Sequence, residues 1–250
     1  CVSYMNSTLT LLAAGSLRRA FIPLQSQFMA KTGTPVEIVF GPAGLLRERI
    51  EKGEACSLFA SANRHHPKVL CDAGLAHGLR IFARNRLILT VRHSPQTAGK
   101  TWLELLSDST LRLGTSTPLC DPSGDYTWQL FEQLEAGFPG LGESLKERAM
   151  PLVGGRDSLT VPAGEMASSW LIREGKADLF IGYAHYATAM GEQEDVRSVA
   201  IPEPWNIRCD YYMAMLEESP AAQQFYQFIL AEEGLRCLRD AGFMLASDED

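Results

Sequence analysis

The sequence lacks a long apolar run, a basic excess and any close cysteine pair. No stretch of its 250 residues approaches the ~18–20 consecutive apolar residues that a helix needs to cross a bilayer. A membrane-spanning chain is therefore not expected. Acidic residues outnumber basic ones, 30 to 23, for a net charge of -7. That balance argues against a nucleic-acid partner, which calls for a basic face. It does not exclude a small anion, because backbone N–H groups can hold one without cationic side chains. The cysteines are Cys1, Cys56, Cys71, Cys120, Cys209 and Cys237, and none forms a C-x-x-C pair. Zinc and thioredoxin-like sites therefore have no support. Buried small hydrophobes are the default for these thiols, and a disulfide would need an oxidising compartment.

The N-terminus has no basic head followed by an apolar core, so no signal peptide is expected within the chain. A chain opening on Cys1 is expected to be a processed or trimmed product. Cys1 would then be either the lipid-anchor cysteine of a bacterial lipoprotein or a remnant of trimming. Neither an internal repeat nor a low-complexity segment is found. The composition, 46% hydrophobic and 21% charged, is that of an ordinary globular chain long enough for one large domain or two lobes.

What is present is a recurring device. Leu9 to Ala14 is a short apolar run that reads as a buried strand. Gly15-Ser16 breaks it, and Leu17, Phe21, Leu24 and Phe28 then recur at helical spacing. A tight strand-to-helix turn aims free N–H groups and a helix dipole into the turn, which makes an anion seat. Ser16 there is either an N-cap or a ligand contact, and most such serines are caps. The device repeats. Val36 to Phe40 alternates as a strand, Gly41-Pro42-Ala43-Gly44 turns, and Leu45, Leu46 and Ile50 mark a helix. Ser57 to Ala60 reads as a third strand before Ser61-Ala62-Asn63 and a helix around Val69, with Pro67 in its first turn.

Leu79 to Val91 holds two close β-like runs, expected to leave one lobe and enter another. Pro122-Ser123-Gly124-Asp125 reads as a turn before a helix carrying Tyr126, Leu130, Phe131 and Leu134. Gly164-Glu165-Met166-Ala167 opens a further helix, and Ala177 to Tyr183 is a strand. Val196 to Ile201 and Tyr211 to Leu216 are strands as well. Helices over 221–230 and 234–241 follow, closed by Gly242-Phe243, and the acidic tail Asp248-Glu249-Asp250 is expected to fray. Alternating strands and helices imply an α/β architecture with mostly parallel sheets, whose ligands sit beyond the carboxyl ends of strands. The junctions at Ser16, Ala43, Ser123 and Glu165 are the candidate grips.

Several segments then resemble one family. Ala13-Ala14-Gly15-Ser16-Leu17, Phe40-Gly41-Pro42-Ala43-Gly44 and Leu58-Phe59-Ala60-Ser61-Ala62-Asn63 are similar to the periplasmic molybdate-binding proteins of ABC importers. So are Thr117 through Tyr126, Gly175 through Tyr183, and Gly234 through Phe243. The likeness runs through nearly the whole chain in order. It implies a type II periplasmic binding-protein fold: two lobes, residues 1–84 plus 202–250 and residues 85–201, joined by two crossing strands.

By the same resemblance, molybdate or tungstate is held between the lobes by Ser16, the Ala43-Gly44 turn, Ser123, the Glu165 backbone N–H and Tyr183. The donors are neutral N–H and O–H groups, each worth about 1.5–3 kcal/mol toward a charged acceptor. The protein is then a periplasmic, monomeric, non-enzymatic binding protein without metal or cofactor, and it hands its ligand to a membrane permease. Ala43 stands where the family has a serine, and Ser57 where it has an acidic residue. Asp121 lies near the third contact turn, where its carboxylate would repel an oxyanion unless it points away or coordinates the metal.

Plainer readings accompany these. Tyr183, at the end of an apolar run, reads as a core tyrosine on its own residues and as a ligand or lobe-closing contact through the resemblance. His185 is expected at the surface, sharing a face with Tyr183. His65-His66 point apart on a helix and do not share a metal. Arg18-Arg19 and the Arg47 to Lys52 stretch are solvated faces that could meet a transporter, and Trp128, Trp170 and Trp205 pack. Three other functions stay open: a binder of sulfate or an organic acid, an α/β hydrolase using Ser16, and a sensing module of a larger regulator. The hydrolase lacks the Gly-x-Ser-x-Gly pattern.

Overall fold

The computed structural model describes residues 8–190 and 193–247. Cys1 and the acidic tail at 248–250 lie outside the described residues. The chain forms two compact units, one built from residues up to Asn85 and from Asp210 onward, the other from Arg86–Cys209.

In the first unit, β1 (Leu9–Ala14) runs through a 3-10 turn (Gly15–Leu17) into α1 (Arg18–Thr32). Gly33, at φ +73°, ends α1 and donates its N–H to the Met29 carbonyl. Glycine suits this left-handed position because it has no Cβ to clash. β2 (Val36–Gly41), α2 (Ala43–Glu51), β3 (Leu58–Ser61), α3 (His65–Asp72) and β4 (His77–Asn85) follow.

The chain then enters the second unit. It forms β5 (Leu87–Arg92), α4 (Trp102–Ser107), β6 (Leu113–Ser116), α5 (Pro122–Gly137), α6 (Leu141–Arg148) and β7 (Met150–Val153). After these come α7 (Ala167–Arg173), β8 (Leu179–Tyr183), α8 (His185–Met190) and β9 (Val196–Ala200). It returns through β10 (Cys209–Met215) and ends with α9 (Pro220–Leu230) and α10 (Glu232–Asp240).

The first sheet has the order β2-β1-β3-β10-β4 and the second β7-β6-β8-β5-β9. Each is mixed rather than mostly parallel. β1 pairs in parallel with β2 and β3, whereas β10 runs antiparallel to β3. In the second sheet β6 is parallel to β7 and β8, but β5 is antiparallel to both β8 and β9. The odd strands are β5 and β10, which carry the chain into a new unit. They are not returns of a strand-helix-strand crossover, so the rule that makes such returns parallel does not bind them.

The first unit's core is aromatic. The Phe21 ring lies 5.9 Å from Phe82, and Phe28 lies 4.8 Å from Phe225. The fully buried Tyr211 ring meets the edges of Phe82 and Phe243 at 6.2 and 5.2 Å. The second unit's core is aliphatic around Leu89, Val91, Leu105, Leu130, Leu134, Leu179 and Ile181.

Two boundaries differ from the sequence expectation. Asn85 belongs to the first unit, and residues 202–209 belong to the second unit, not the first. Asn206 accepts the Leu87 N–H at 3.0 Å and donates to the Leu87 carbonyl at 2.9 Å, mimicking a strand partner. Trp205 stacks on Phe138 at 5.0 Å and covers Gly137, where a Cβ would lie 2.0 Å from its ring. These contacts decide the assignment; the Pro-rich local sequence does not.

Candidate functional site

In the first unit three parallel strands end side by side. The register sets Ala14 opposite Gly41 and Ala13 opposite Ala60. Ser16 and Ala43, each two residues past that pair, therefore leave the sheet at the same edge, with the Ser61-Ala62-Asn63 turn beside them. β10 runs antiparallel to β3 with Tyr212 opposite Ser61, so Tyr211 comes to that edge too.

Ser16 is buried inside the 3-10 turn and caps nothing: neither that turn nor α1 has a side-chain cap. Its hydroxyl instead pairs with the Tyr211 hydroxyl at 2.8 Å. The Asn85 amide nitrogen lies 3.5 Å from the same phenol oxygen. α2 starts at the buried Ala43 and Gly44, with Pro42 at its N-cap and no side-chain cap. The first N–H groups of a helix have no partner within the helix itself. The third turn is closed internally, because the Asn63 carboxamide oxygen accepts the His66 N–H and the Ser61 hydroxyl.

Ser57 stands where a carboxylate was expected, yet a carboxylate is present nearby. Its hydroxyl donates to Glu217 Oε1 at 3.2 Å and accepts the Thr10 N–H at 3.1 Å.

In the second unit β6 and β8 are parallel with Gly114 opposite Phe180, so Ser116 and Tyr183 end at one edge. Residues 122–125 form the first turn of α5 rather than a turn before it. Asp121 is its N-cap: Oδ1 accepts the Ser123 N–H at 3.3 Å and Oδ2 accepts the Ser116 hydroxyl at 2.5 Å. Burial pushes the Asp121 carboxyl up to about 6 against the pull of those two bonds, and Asp125 adds to the rise. Ser123 is buried, 6% exposed, and its carbonyl accepts the Thr127 hydroxyl at 2.7 Å. Tyr183, 5% exposed, packs its ring 6.4 Å from Tyr126 on α5.

Glu165 is not brought to this edge by a helix start. It precedes α7 by two residues, its N–H already donates to the Pro162 carbonyl at 3.1 Å, and its exposed carboxylate pairs with Arg173. The expected backbone donor is thus occupied within its own loop. His185, expected at the surface, is buried at the start of α8 and stacks 4.0 Å from Tyr186.

Among the described residues no three metal-binding side chains cluster, and no helix is long and apolar enough to cross a membrane. Cys56, Cys71, Cys120, Cys209 and Cys237 are all free thiols. Trp128 and Trp205 pack on Phe131 and Phe138, and Arg18 stacks over Phe40 at 4.6 Å.

Sequence reasoning missed Tyr211, Asn85 and the capping role of Asp121. The Asp-Pro pair just before α5 is a helix-start signal that could have exposed the last. Nothing local could have paired Ser16 with a tyrosine 195 residues away.

The family model described as bacterial extracellular solute-binding protein matches residues 9–244. The chain belongs to that family. It is 44% identical over 239 residues to an uncharacterized protein of Pasteurella multocida, covering 95% of this chain and 98% of that one. Two solved structures share the fold. The Azotobacter vinelandii periplasmic molybdate-binding protein superposes with a TM-score of 0.76 at 20% identity, over 96% of this chain and 100% of that one. The sulfate-binding protein SubI from Mycobacterium tuberculosis superposes with a TM-score of 0.74 at 17% identity, over 96% and 88%. The two-unit α/β architecture is that of periplasmic binding proteins.

Proposed function

We propose that this family member captures a tetrahedral oxyanion, molybdate or tungstate, and delivers it as a periplasmic monomer to the permease of an ABC importer. In this reading Ser16 and the amides of Ala43 and Gly44 supply donors from the first unit. The Ser123 and Tyr183 hydroxyls supply them from the second. Glu165 is not among the donors, because its N–H already donates to the Pro162 carbonyl.

The observation that carries the reading is the register of β1 and β2, which sets Ser16 beside the uncapped start of α2. A dianion there meets several N–H and O–H donors and a helix dipole, without a cationic side chain in the set. Hydrogen bonds to a charged acceptor are the stronger kind, about 1.5–3 kcal/mol each, and together they replace the ion's hydration shell. The size of the space then separates molybdate from sulfate.

The reading involves no metal, no cofactor and no turnover. The Ser16 hydroxyl pairs with the Tyr211 hydroxyl at 2.8 Å, and the residues around Ser16 do not form the Gly-x-Ser-x-Gly pattern of a nucleophile elbow. Calorimetry of the full chain with molybdate, tungstate, sulfate and phosphate tests the ligand. Tight binding of sulfate alone moves the assignment to sulfate. Binding of an organic acid alone leaves only the binding-protein fold. Ester turnover lost in Ser16→Ala would replace the reading with a hydrolase.

A further inference from the structure

We infer that Arg18 and Arg64 form a cationic rim at the strand edge of the first unit, outside the donor set, that favours capture of doubly charged anions over singly charged ones. The inference rests on the reading that an oxyanion binds at that edge. The three junctions leaving the edge, residues 14–21, 41–47 and 61–68, carry Arg18, Arg19, Arg47, Arg64 and Lys68 and no acidic residue. The chain as a whole has the opposite balance, 30 acidic residues to 23 basic. A helix start has the opposite preference too, since its dipole stabilises acids and works against cations. α1, α2 and α3 have no acid in their first turns, whereas α10 of the same unit has Glu232 and Glu233 there. Helix stability therefore does not account for the charge at this edge.

Arg47 and Lys68 are tied to Glu51 and Asp72, one turn further along their own helices. Arg18 and Arg64 are exposed, and neither pairs with a carboxylate among the described residues. Each is held over an aromatic ring instead, the contact by which a ring face attracts a cation. The Arg18 guanidinium lies 4.6 Å from the centre of Phe40, the last residue but one of β2. That of Arg64 lies 5.8 Å from the centre of Tyr212, which is opposite Ser61 at the end of β3. Phe40 is in register with Ala13, Ala13 with Ala60, and Ala60 with Met213. Tyr212 is the neighbour of Met213, so Phe40 and Tyr212 point to opposite faces of the sheet. The two cations thus bracket the edge from both faces, one over β2 and the other over β10.

Charges outside the donor set act through their field rather than by contact. A dianion feels twice the attraction that a monoanion does. Salt screens that field, with a Debye length of about 30 Å at 0.01 M and about 3 Å at 1 M. Calorimetry of the full chain with tungstate and with perrhenate, tetrahedral anions of two charges and one, tests the rim at these two salt levels. The variants are Arg18→Gln, Arg64→Gln, their double variant, Arg18→Lys and Lys52→Gln. Lys52 is exposed at the C-terminal end of α2, so Lys52→Gln makes the same change in net charge away from the edge.

At about 0.01 M salt Arg18→Gln and Arg64→Gln are each expected to lose about two- to three-fold in tungstate affinity, and the double variant about five-fold. At about 1 M salt all three return close to wild type. Arg18→Lys, which keeps the charge, and Lys52→Gln stay close to wild type at both levels. The double variant also narrows the low-salt preference for tungstate over perrhenate. Losses of equal size at both salt levels would make the arginines contacts and overturn the rim. Wild-type affinity of the double variant at low salt, or an equal loss in Lys52→Gln, overturns it as well. Failure of the underlying reading looks different: the wild-type chain then gives no heat with either anion at either salt level.

Discussion

The carboxylate of Asp121 takes the backbone N–H of Ser123 at 3.3 Å, and with it a donor that an anion at the start of α5 would use. A helix start satisfied by its own N-cap offers a guest less than one left open. In the proposed reading the second unit's donors at this edge are therefore hydroxyls, from Ser123 and Tyr183. In the first unit α2 begins at Ala43 with Pro42 at its N-cap and no side-chain cap.

A charged Asp121 repels an oxyanion and a protonated one does not. With its carboxyl raised to about 6, oxyanion affinity is expected to rise as pH falls from 7.5 to 5.5. Asp121→Asn keeps a capping acceptor and removes the charge. It is expected to bind more tightly at pH 7.5 and to show a flat profile, as read by calorimetry at the two values. The linked effect on stability has a definite sign. The folded state holds this proton to higher pH than the unfolded chain, so stability falls as pH rises from about 4 to 6, by about 3 kcal/mol.

His66 acts in the opposite sense. It is 4% exposed, and neither ring nitrogen has a hydrogen-bond partner. Burial, then Arg47 and His65, push it down to about 4. The unfolded chain binds this proton first as pH falls, so the contribution is present above about pH 6.5 and is lost toward pH 4, by about 3 kcal/mol. Urea unfolding of His66→Phe is expected to lose the part of the pH dependence between 6.5 and 4 that wild type shows in the first unit.

Gly124→Ala is expected to be poorly tolerated. A Cβ there would lie 2.5 Å from Pro118 N and from the Thr117 carbonyl carbon, and 2.9 Å from the Ser116 carbonyl oxygen. All three are backbone atoms, so the α5 start must move away from the end of β6. A loss of about 1–3 kcal/mol in chemical denaturation is the scale of such overpacking. Weaker oxyanion binding follows if Ser123 moves with the helix.

Leu119 is 82% exposed and holds φ at +72°, in the loop between β6 and α5. Its side chain covers little of the core and its backbone is in a region that glycine occupies more easily. Leu119→Gly is expected to raise the thermal midpoint slightly, by relieving about 1 kcal/mol of strain. An unchanged or lowered midpoint would show that the leucine offsets the strain by contacts or by restricting the unfolded chain.

The strand-turn-helix units were legible because local chemistry writes them. Leu9 to Ala14, Gly15-Ser16 and the Leu17/Phe21/Leu24/Phe28 spacing are all short-range signals. α6 and β7 gave weaker ones. α6 buries few residues, among them Gly142 and Leu145, and β7 is an edge strand carrying Pro151. Strand direction was not legible for β5 and β10, since pairing depends on where a connection arrives. Trp205 and Asn206 joined the second unit through Phe138 and Leu87, contacts between residues far apart in sequence. At the candidate site, Ser16, Ala43 and Ser123 were readable as residues of strand-to-helix junctions, though Ser123 lies in the first turn of α5 and not in a turn before it. The partners that determine which donors remain, Tyr211 for Ser16 and Asp121 for Ser123, were not.

The central claim is that neutral donors at the strand ends bind a doubly charged tetrahedral anion. Isothermal calorimetry of the full chain against molybdate, tungstate, sulfate and phosphate tests it most directly. The account predicts one site per chain with micromolar or tighter affinity for molybdate and tungstate, weaker binding of sulfate and phosphate, and a loss of about 1–3 kcal/mol in Ser16→Ala. No heat with any of the four, alongside binding of an organic acid or a sugar, would contradict it.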